Sequence, residues 1–181
     1  MPPDRKQLGA FYTPGQLVAT VVDATVTQEF LDARRGRAVR VLDPACGDGR
    51  FLAAVAARVR DLGVDVELHG VDIDPTAVAF ARSNVRGATI ELGDALTRAW
   101  SSERFDLVIG NPPFLSQLSE RTTRGGASRR GGGPYADVAA EFLALGAELV
   151  EPGGGRLAFV LPQSMLASRD AGPERALIDA C

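Results

Sequence analysis

From Val39 onward the chain alternates short β-branched runs with segments of helix length, and this alternation limits the folds open to it more than any other feature. The runs are Val39 to Leu42, Val66 to Val71, Ala88 to Leu92, Phe105 to Ile109 and Arg156 to Leu161. Between them lie helix-like segments at Arg50 to Leu62, Pro75 to Arg86 and Ala136 to Val150. Strands separated by helices cannot close as hairpins and are joined instead as β-α-β units, so the expected class is α/β with a mostly parallel, doubly wound sheet. Gly63, Gly87 and Gly153 fall just past the ends of the three helical segments, where a left-handed residue is wanted.

Ahead of this alternation, Thr13-Pro14-Gly15-Gln16 offers a cap hydroxyl, a proline at the first helical position and a glutamine three residues past the cap. A helix is expected to begin there and to run through Val18, Val22 and Val26 to Phe30 and Leu31, stopping in the basic stretch Arg34 to Arg37. The expected organisation is an N-terminal helical segment over 1–36, a core over 37–181 and, inside the core, a flexible basic loop over 115–135. That loop carries Arg121, Arg124, Arg129 and Arg130 among glycines and shows no periodicity. Loops of such length inside a compact domain are usually functional or disordered.

Composition narrows the class of function. The chain has 181 residues, 45% of them hydrophobic, enough for one domain with a sizeable core. With 20 basic and 23 acidic side chains, a nucleic-acid partner would have to be met by a local patch such as the arginine loop. Cys46 and Cys181 are too far apart for a C-x-x-C metal or redox pair, and a reducing, cytoplasmic setting is expected. No apolar run approaches the roughly 18 residues of a membrane span. His69, the only histidine, lies within a strand and suits packing better than metal or acid-base work, and Cys46 reads as a small packing residue.

Chemistry concentrates where strands end. Val39-Arg40-Val41-Leu42-Asp43-Pro44-Ala45-Cys46-Gly47-Asp48-Gly49 is a buried strand followed by a tight turn whose glycines let backbone approach a ligand. The next strand ends in Asp72-Ile73-Asp74-Pro75. Asp72 is placed to accept both hydroxyls of a ribose, and Asp74 suits a helix N-cap. The third strand ends in Gly93-Asp94, where a carboxylate can accept from an adenine amino group. No G-x-x-x-x-G-K-[ST] loop accompanies these acids, so a nucleoside cofactor without phosphates, such as S-adenosylmethionine, fits better than NAD or ATP.

The fourth strand runs into Gly110-Asn111-Pro112-Pro113-Phe114, which in a doubly wound sheet faces the cofactor loop across the switch point. The Asn111 oxygen and the Pro112 carbonyl can accept the two hydrogens of a planar amine, Pro112 and Pro113 stiffen the backbone, and Phe114 can stack on the ring. Accepting both hydrogens draws the nitrogen lone pair out of conjugation toward a methyl sulfonium, with no strong general base required.

DPACGDGRFL, GVDIDP, GDAL and NPPF, preceded by GAFYTP, stand in an order that resembles adenine-specific DNA methyltransferases in their gamma arrangement. These occur in type I, some type II and related restriction or phage-defence systems. The resemblance runs from about Leu8 to Ala180. It implies a Rossmann-like class I S-adenosylmethionine-dependent methyltransferase acting on the exocyclic amino group of adenine in double-stranded DNA, with the target base flipped out of the stack. Carried over residue by residue, it implies that Thr13 meets the cofactor's carboxylate and that Asp43, Ala45, Gly47 and Ile73 line the cofactor. It gives Asp72 the ribose, Asp94 the adenine amino group, and Asn111 to Phe114 the target base. The capping box competes for Thr13. In the family the core continues past the fifth strand and a recognition domain follows or comes from a specificity subunit. The chain is therefore expected to lack the last strands of the complete fold, and so to be truncated or to need a partner. Transferases acting on protein glutamine or on guanine in RNA share N-P-P, and a non-catalytic cofactor- or DNA-binding fragment is the remaining alternative.

Overall fold

The computed structural model describes residues 13–113 and 138–161. Five strands, β1 (Val39–Asp43), β2 (Val66–Asp72), β3 (Thr89–Leu92), β4 (Leu107–Gly110) and β5 (Arg156–Phe159), form one sheet in the order β3-β2-β1-β4-β5. Every pairing is parallel. The helices are α1 (Gly15–Thr25), α2 (Gln28–Asp32), α3 (Arg50–Asp61), α4 (Pro75–Asn84) and α5 (Val138–Leu149). Strand order reverses direction at β1, whose neighbours are β2 and β4, and the crevice between the C-terminal ends of β1 and β4 is the switch point where such sheets bind ligands.

Alternation along each strand sends successive side chains to opposite faces. Val39, Val41, Leu107 and Ile109 face one core, shared with Val18, Val22, Phe51, Val55 and Val59 of α1 and α3. Leu42 and Val108 face the other, shared with Phe142, Leu145 and Leu149 of α5 and with Trp100 and Phe105. The result is a three-layer sandwich in which β1 and β4 are buried on both sides, which is why they read as unbroken apolar runs. Gly63, Gly87 and Gly153 have φ of 70°, 83° and 79°, the left-handed conformation expected after each helix.

Three local expectations are corrected. The single helix expected from Thr13 to Leu31 is two, because Thr27 starts a new one: its hydroxyl accepts from the Phe30 N–H at 3.2 Å. Thr13 does not cap α1. Pro14 is the cap residue, its carbonyl accepting from the N–H groups of Leu17 and Val18. The fourth strand begins at Leu107 rather than Phe105, since Asp106 turns its carboxylate to Arg34 and Arg37 and Phe105 pairs only in an isolated bridge with Val150. Among the described residues, no helix is long and apolar enough to cross a membrane.

Candidate active site at the switch point

β1 carries Asp43 to the crevice, where it is 1% exposed. Its Oδ1 accepts from the Ala45 N–H at 3.1 Å, tightening the turn that follows the strand. Burial, followed by the neighbouring charge of Asp72, pushes the Asp43 carboxyl up to about 8. Asp43 therefore holds its proton at neutral pH. Directly beside it, on β4, stands Gly110. A Cβ there would lie 2.5 Å from the Asp43 Oδ1, so a side chain at 110 and a carboxylate at 43 exclude each other. The sequence marks this close approach only as a glycine at the end of a run of large apolar residues.

The turn after β1 carries two glycines with different tasks. Gly49, at φ 84°, leaves no room for a side chain, because a Cβ would meet Val85 Cγ2 at 2.7 Å on the segment leaving α4. Gly47, at φ 53°, has nothing within 4 Å of its Cβ position, so this stretch of backbone is open to a ligand. The Gly47 N–H donates to Asp72 Oδ2 at 2.7 Å. Asp72 Oδ1 accepts from the Asp74 N–H at 2.9 Å. Burial pushes the Asp72 carboxyl up against the pull of these two N–H groups. Asp72 thereby pins the glycine turn to the tip of β2, a task the sequence alone did not suggest. Asp74 caps α4 as expected, accepting from the Thr76 N–H at 2.8 Å.

Ile73, beside Asp72, is 56% exposed and offers an apolar surface next to the tip of β2. At the tip of β3, Asp94 Oδ1 accepts from the Leu96 N–H at 2.9 Å and tightens the turn there. Asp43, Asp72 and Asp94 thus stand at the C-terminal ends of three adjacent strands. Cys46 is buried behind the turn, and burial pushes its thiol up, out of the range of a reactive thiolate. His69 is half-buried edge-on to Phe105, with ring centroids 5.3 Å apart, and burial lowers its pKa.

Asn111 follows Gly110. Its Nδ2 donates to Thr13 Oγ1 at 2.9 Å, and its Oδ1 is buried with no hydrogen-bond partner among the described residues. A buried amide oxygen without a partner costs about 1–3 kcal/mol, so Asn111 Oδ1 is an acceptor with much to gain from a donor. Thr13 itself is buried. The fold therefore unites Thr13, Asp43, Asp72 and Asn111 at one crevice, with Pro112 buried and Pro113 half-buried next in line. Phe114, Arg121, Arg124, Arg129 and Arg130 lie outside the described residues, as do Cys181 and the whole of the expected 115–135 loop.

Residues 2–181 match the model of a protein family described as N-6 DNA Methylase. The chain is 33% identical over 114 residues to the type I restriction enzyme MjaIX methylase subunit of Methanocaldococcus jannaschii, a match covering 59% of this chain and 19% of that protein. It is 30% identical over 94 residues to a release factor glutamine methyltransferase of Pasteurella multocida, covering 47% of this chain and 31% of the relative. A crystal structure of the type I restriction-modification system methyltransferase subunit from Streptococcus thermophilus superposes with a TM-score of 0.69 at 20% identity, over 93% of this chain and 38% of that one. This last likeness shows that the two chains share a fold. The chain spans about a fifth to two fifths of the length of each of these proteins.

Proposed function

We propose that this chain, which belongs to the N-6 DNA methylase family, carries the catalytic site of an S-adenosylmethionine-dependent methyltransferase acting on the exocyclic amino group of adenine in DNA. The observation that carries the reading is the buried Asn111 Oδ1, unpartnered among the described residues, just past β4 and across the switch point from the glycine turn.

The residues present fit the cofactor. Gly47 offers open backbone, Ile73 an exposed apolar surface for a flat ring, and Asp72 and Asp94 acceptors at successive strand tips. Burial makes Asp43 and Asp72 resist ionisation, with the charge of Asp72 adding to it at Asp43 and that of Asp74 at Asp72, so a cationic ligand is favoured over an anionic one. In this reading Asp72 holds the ribose, Asp94 the adenine amino group, and Thr13, Asp43, Ala45 and Ile73 complete the wall. When bound, S-adenosylmethionine supplies a methyl group on a cationic sulfur, which is released as a neutral thioether once the target nitrogen has taken the methyl.

Asn111 Oδ1 and the Pro112 carbonyl accept the two amine hydrogens and turn the nitrogen lone pair toward the methyl. Phe114 stacks on the base, and the surplus proton departs to water after transfer. Extruding adenine from a duplex costs a few kcal/mol, which stacking and phosphate contacts from Arg121, Arg124, Arg129 and Arg130 offset. A specificity subunit or a further recognition region supplies the DNA sequence preference, and restriction-modification or phage defence is the setting.

Calorimetric titration with S-adenosylmethionine and its demethylated product tests the pocket. One saturable site is expected, weakened at least about 100-fold in Asp72→Ala, which loses a charge-assisted acceptor and unpins the glycine turn together. Equal affinity in both proteins would sink the cofactor assignment. A second expectation concerns protons. The Asp43 carboxyl, protonated below about pH 8 in the free protein, is expected to ionise beside the cofactor's ammonium. Binding near pH 7 should release a proton, and affinity should rise with pH toward 8, in contrast to Asp43→Asn. Titrations in two buffers of different ionisation enthalpy read this directly, and identical heats in both would argue that Asp43 stays neutral.

The relation to a release factor glutamine methyltransferase keeps a second reading, in which the same asparagine holds a side-chain amide. Parallel transfer assays on DNA, RNA and release factor separate the two.

A further inference from the structure

We infer that Asn84, the last residue of α4, is a positioning residue for the glycine turn that takes the cofactor; the inference rests on the proposed reading of that turn. Its side-chain Nδ2 donates to the Asp48 carbonyl at 3.1 Å, between residues 36 positions apart in sequence. A carbonyl can only accept, so the nitrogen end of this amide, and not the oxygen, is the end that faces the turn. The turn also rests directly on the end of α4: a Cβ at Gly49 would stand 2.7 Å from Val85 Cγ2 and 3.3 Å from Ala81, both of them buried.

Peptide planes reveal what the bond does. The unit joining Cys46 to Gly47 is held at both ends, its carbonyl accepting from the Gly49 N–H at 2.8 Å and its N–H donating to Asp72 Oδ2 at 2.7 Å. The unit joining Asp48 to Gly49 is held at both ends as well, its N–H by the Cys46 carbonyl and its own carbonyl by Asn84. That second carbonyl stands one place ahead of Gly49, whose carbonyl accepts from the Ala53 N–H at 2.9 Å, so the ladder of α3 does not fix it. Gly47 and Gly49 both have positive φ, and glycine is equally at home elsewhere, so the turn needs outside restraint to keep this shape. Asp72 restrains the first plane and Asn84 the second. Because α4 starts at Pro75, just after Asp72, one β-α unit grips the turn from both of its own ends. A turn that leaves its binding shape weakens the ligand in proportion to the time it is away.

The test is calorimetric titration of the 181-residue chain and three variants with S-adenosylmethionine. Asn84→Ala removes the donor, Asn84→Asp sets a carboxylate against the Asp48 carbonyl, and Ser83→Ala removes a neighbouring exposed hydroxyl of α4 as a control. The dissociation constant is expected to rise about 3- to 10-fold in Asn84→Ala, the range of one ordinary hydrogen bond, further in Asn84→Asp, and by less than about 1.5-fold in Ser83→Ala. Hydrogen exchange on the free proteins separates positioning from a general loosening of the fold. The Gly49 N–H should exchange faster in both Asn84 variants, while the N–H groups of β1 and β4 keep their protection. Unchanged affinity in both Asn84 variants overturns the inference, and so does lost affinity accompanied by faster exchange throughout β1 and β4. Should the wild type bind no cofactor, the proposed function fails, and exchange at Gly49 alone still decides whether Asn84 holds the turn.

Discussion

Asn111→Ala is expected to lower methyl transfer from the saturated complex by about 10²- to 10³-fold, the range seen when one preorganised hydrogen-bonding group is removed from a reacting centre. Cofactor affinity should stay within twofold, because in the proposed reaction the lost oxygen serves the target amine and not the cofactor. Asn111→Asp keeps an acceptor oxygen and should retain more activity than alanine, though it brings a charge into a crevice where Asp43 and Asp72 already resist ionisation. Rapid-quench single-turnover kinetics separate the chemical step from product release. A rate within fivefold of wild type in Asn111→Ala would remove the asparagine from the mechanism and with it the central support of the proposed reaction.

The second large effect lies at the opposite end of β4. Asp106, 2% exposed, accepts from Arg34 Nε at 2.8 Å, from two nitrogens of Arg37 at 2.6 Å each and from the Arg40 N–H at 2.9 Å. Arg34 is itself buried, lies over the Phe30 ring at 3.8 Å and donates to the carbonyls of Phe30 and Gly154. Removing the carboxylate strands that guanidinium without its counter-ion, and Asp106→Ala is expected to cost about 3–5 kcal/mol of folding stability. Thermal unfolding should show a fall of roughly 10 °C or more.

Burial alone would push the Asp106 carboxyl up, but the hydrogen bonds from Arg37, the Arg40 N–H and Arg34 outweigh it and hold the group down at about 2. A carboxyl depressed on folding contributes stability that is complete above its unfolded value and disappears as pH falls through its folded one. Between about pH 4 and pH 2 the protein should therefore lose about 2 kcal/mol that Asp106→Asn does not lose. Parallel acid-unfolding curves for the two proteins would contradict this assignment.

Local signals in the sequence were strong where structure is local. Strand and helix limits from Val39 to Leu92 lie within a residue or two of those observed, because alternation, caps and post-helix glycines are encoded in neighbouring residues. Asp74 before Pro75 is the plainest case, a cap legible from two letters and observed as one. Thr13 shows the converse. Its capping-box pattern was sound by local rules, yet a partner far along the chain took the hydroxyl, and no local pattern reveals such competition. The break between α1 and α2 was missed for a different reason: apolar spacing runs through Val26 without interruption, and the cap hydroxyl of Thr27 is the only local sign of a new start.

The site divides in the same way. Strand-tip acids and Asn111 could be placed from strand order alone, since a doubly wound sheet brings its C-terminal ends together. Gly110 and Asp106 could not. The need for glycine at 110 comes from Asp43 on the adjacent strand, and the isolated acid at the start of Phe105-Asp106-Leu107-Val108-Ile109 acquires meaning only when Arg34 and Arg37 are packed against it. A charged residue at the entrance of a strand that is otherwise apolar was the available signal, and it points to a buried partner without saying which.

The bond between Thr13 and Asn111 joins residues 98 positions apart in sequence. In kinetic terms it is a long loop closure, and the chain entropy of closing it is recovered only after β1 and β4 have paired and α1 has settled on α3. The Asn111 amide is thereby tied to the packing of α1 on α3 and not to its own strand alone.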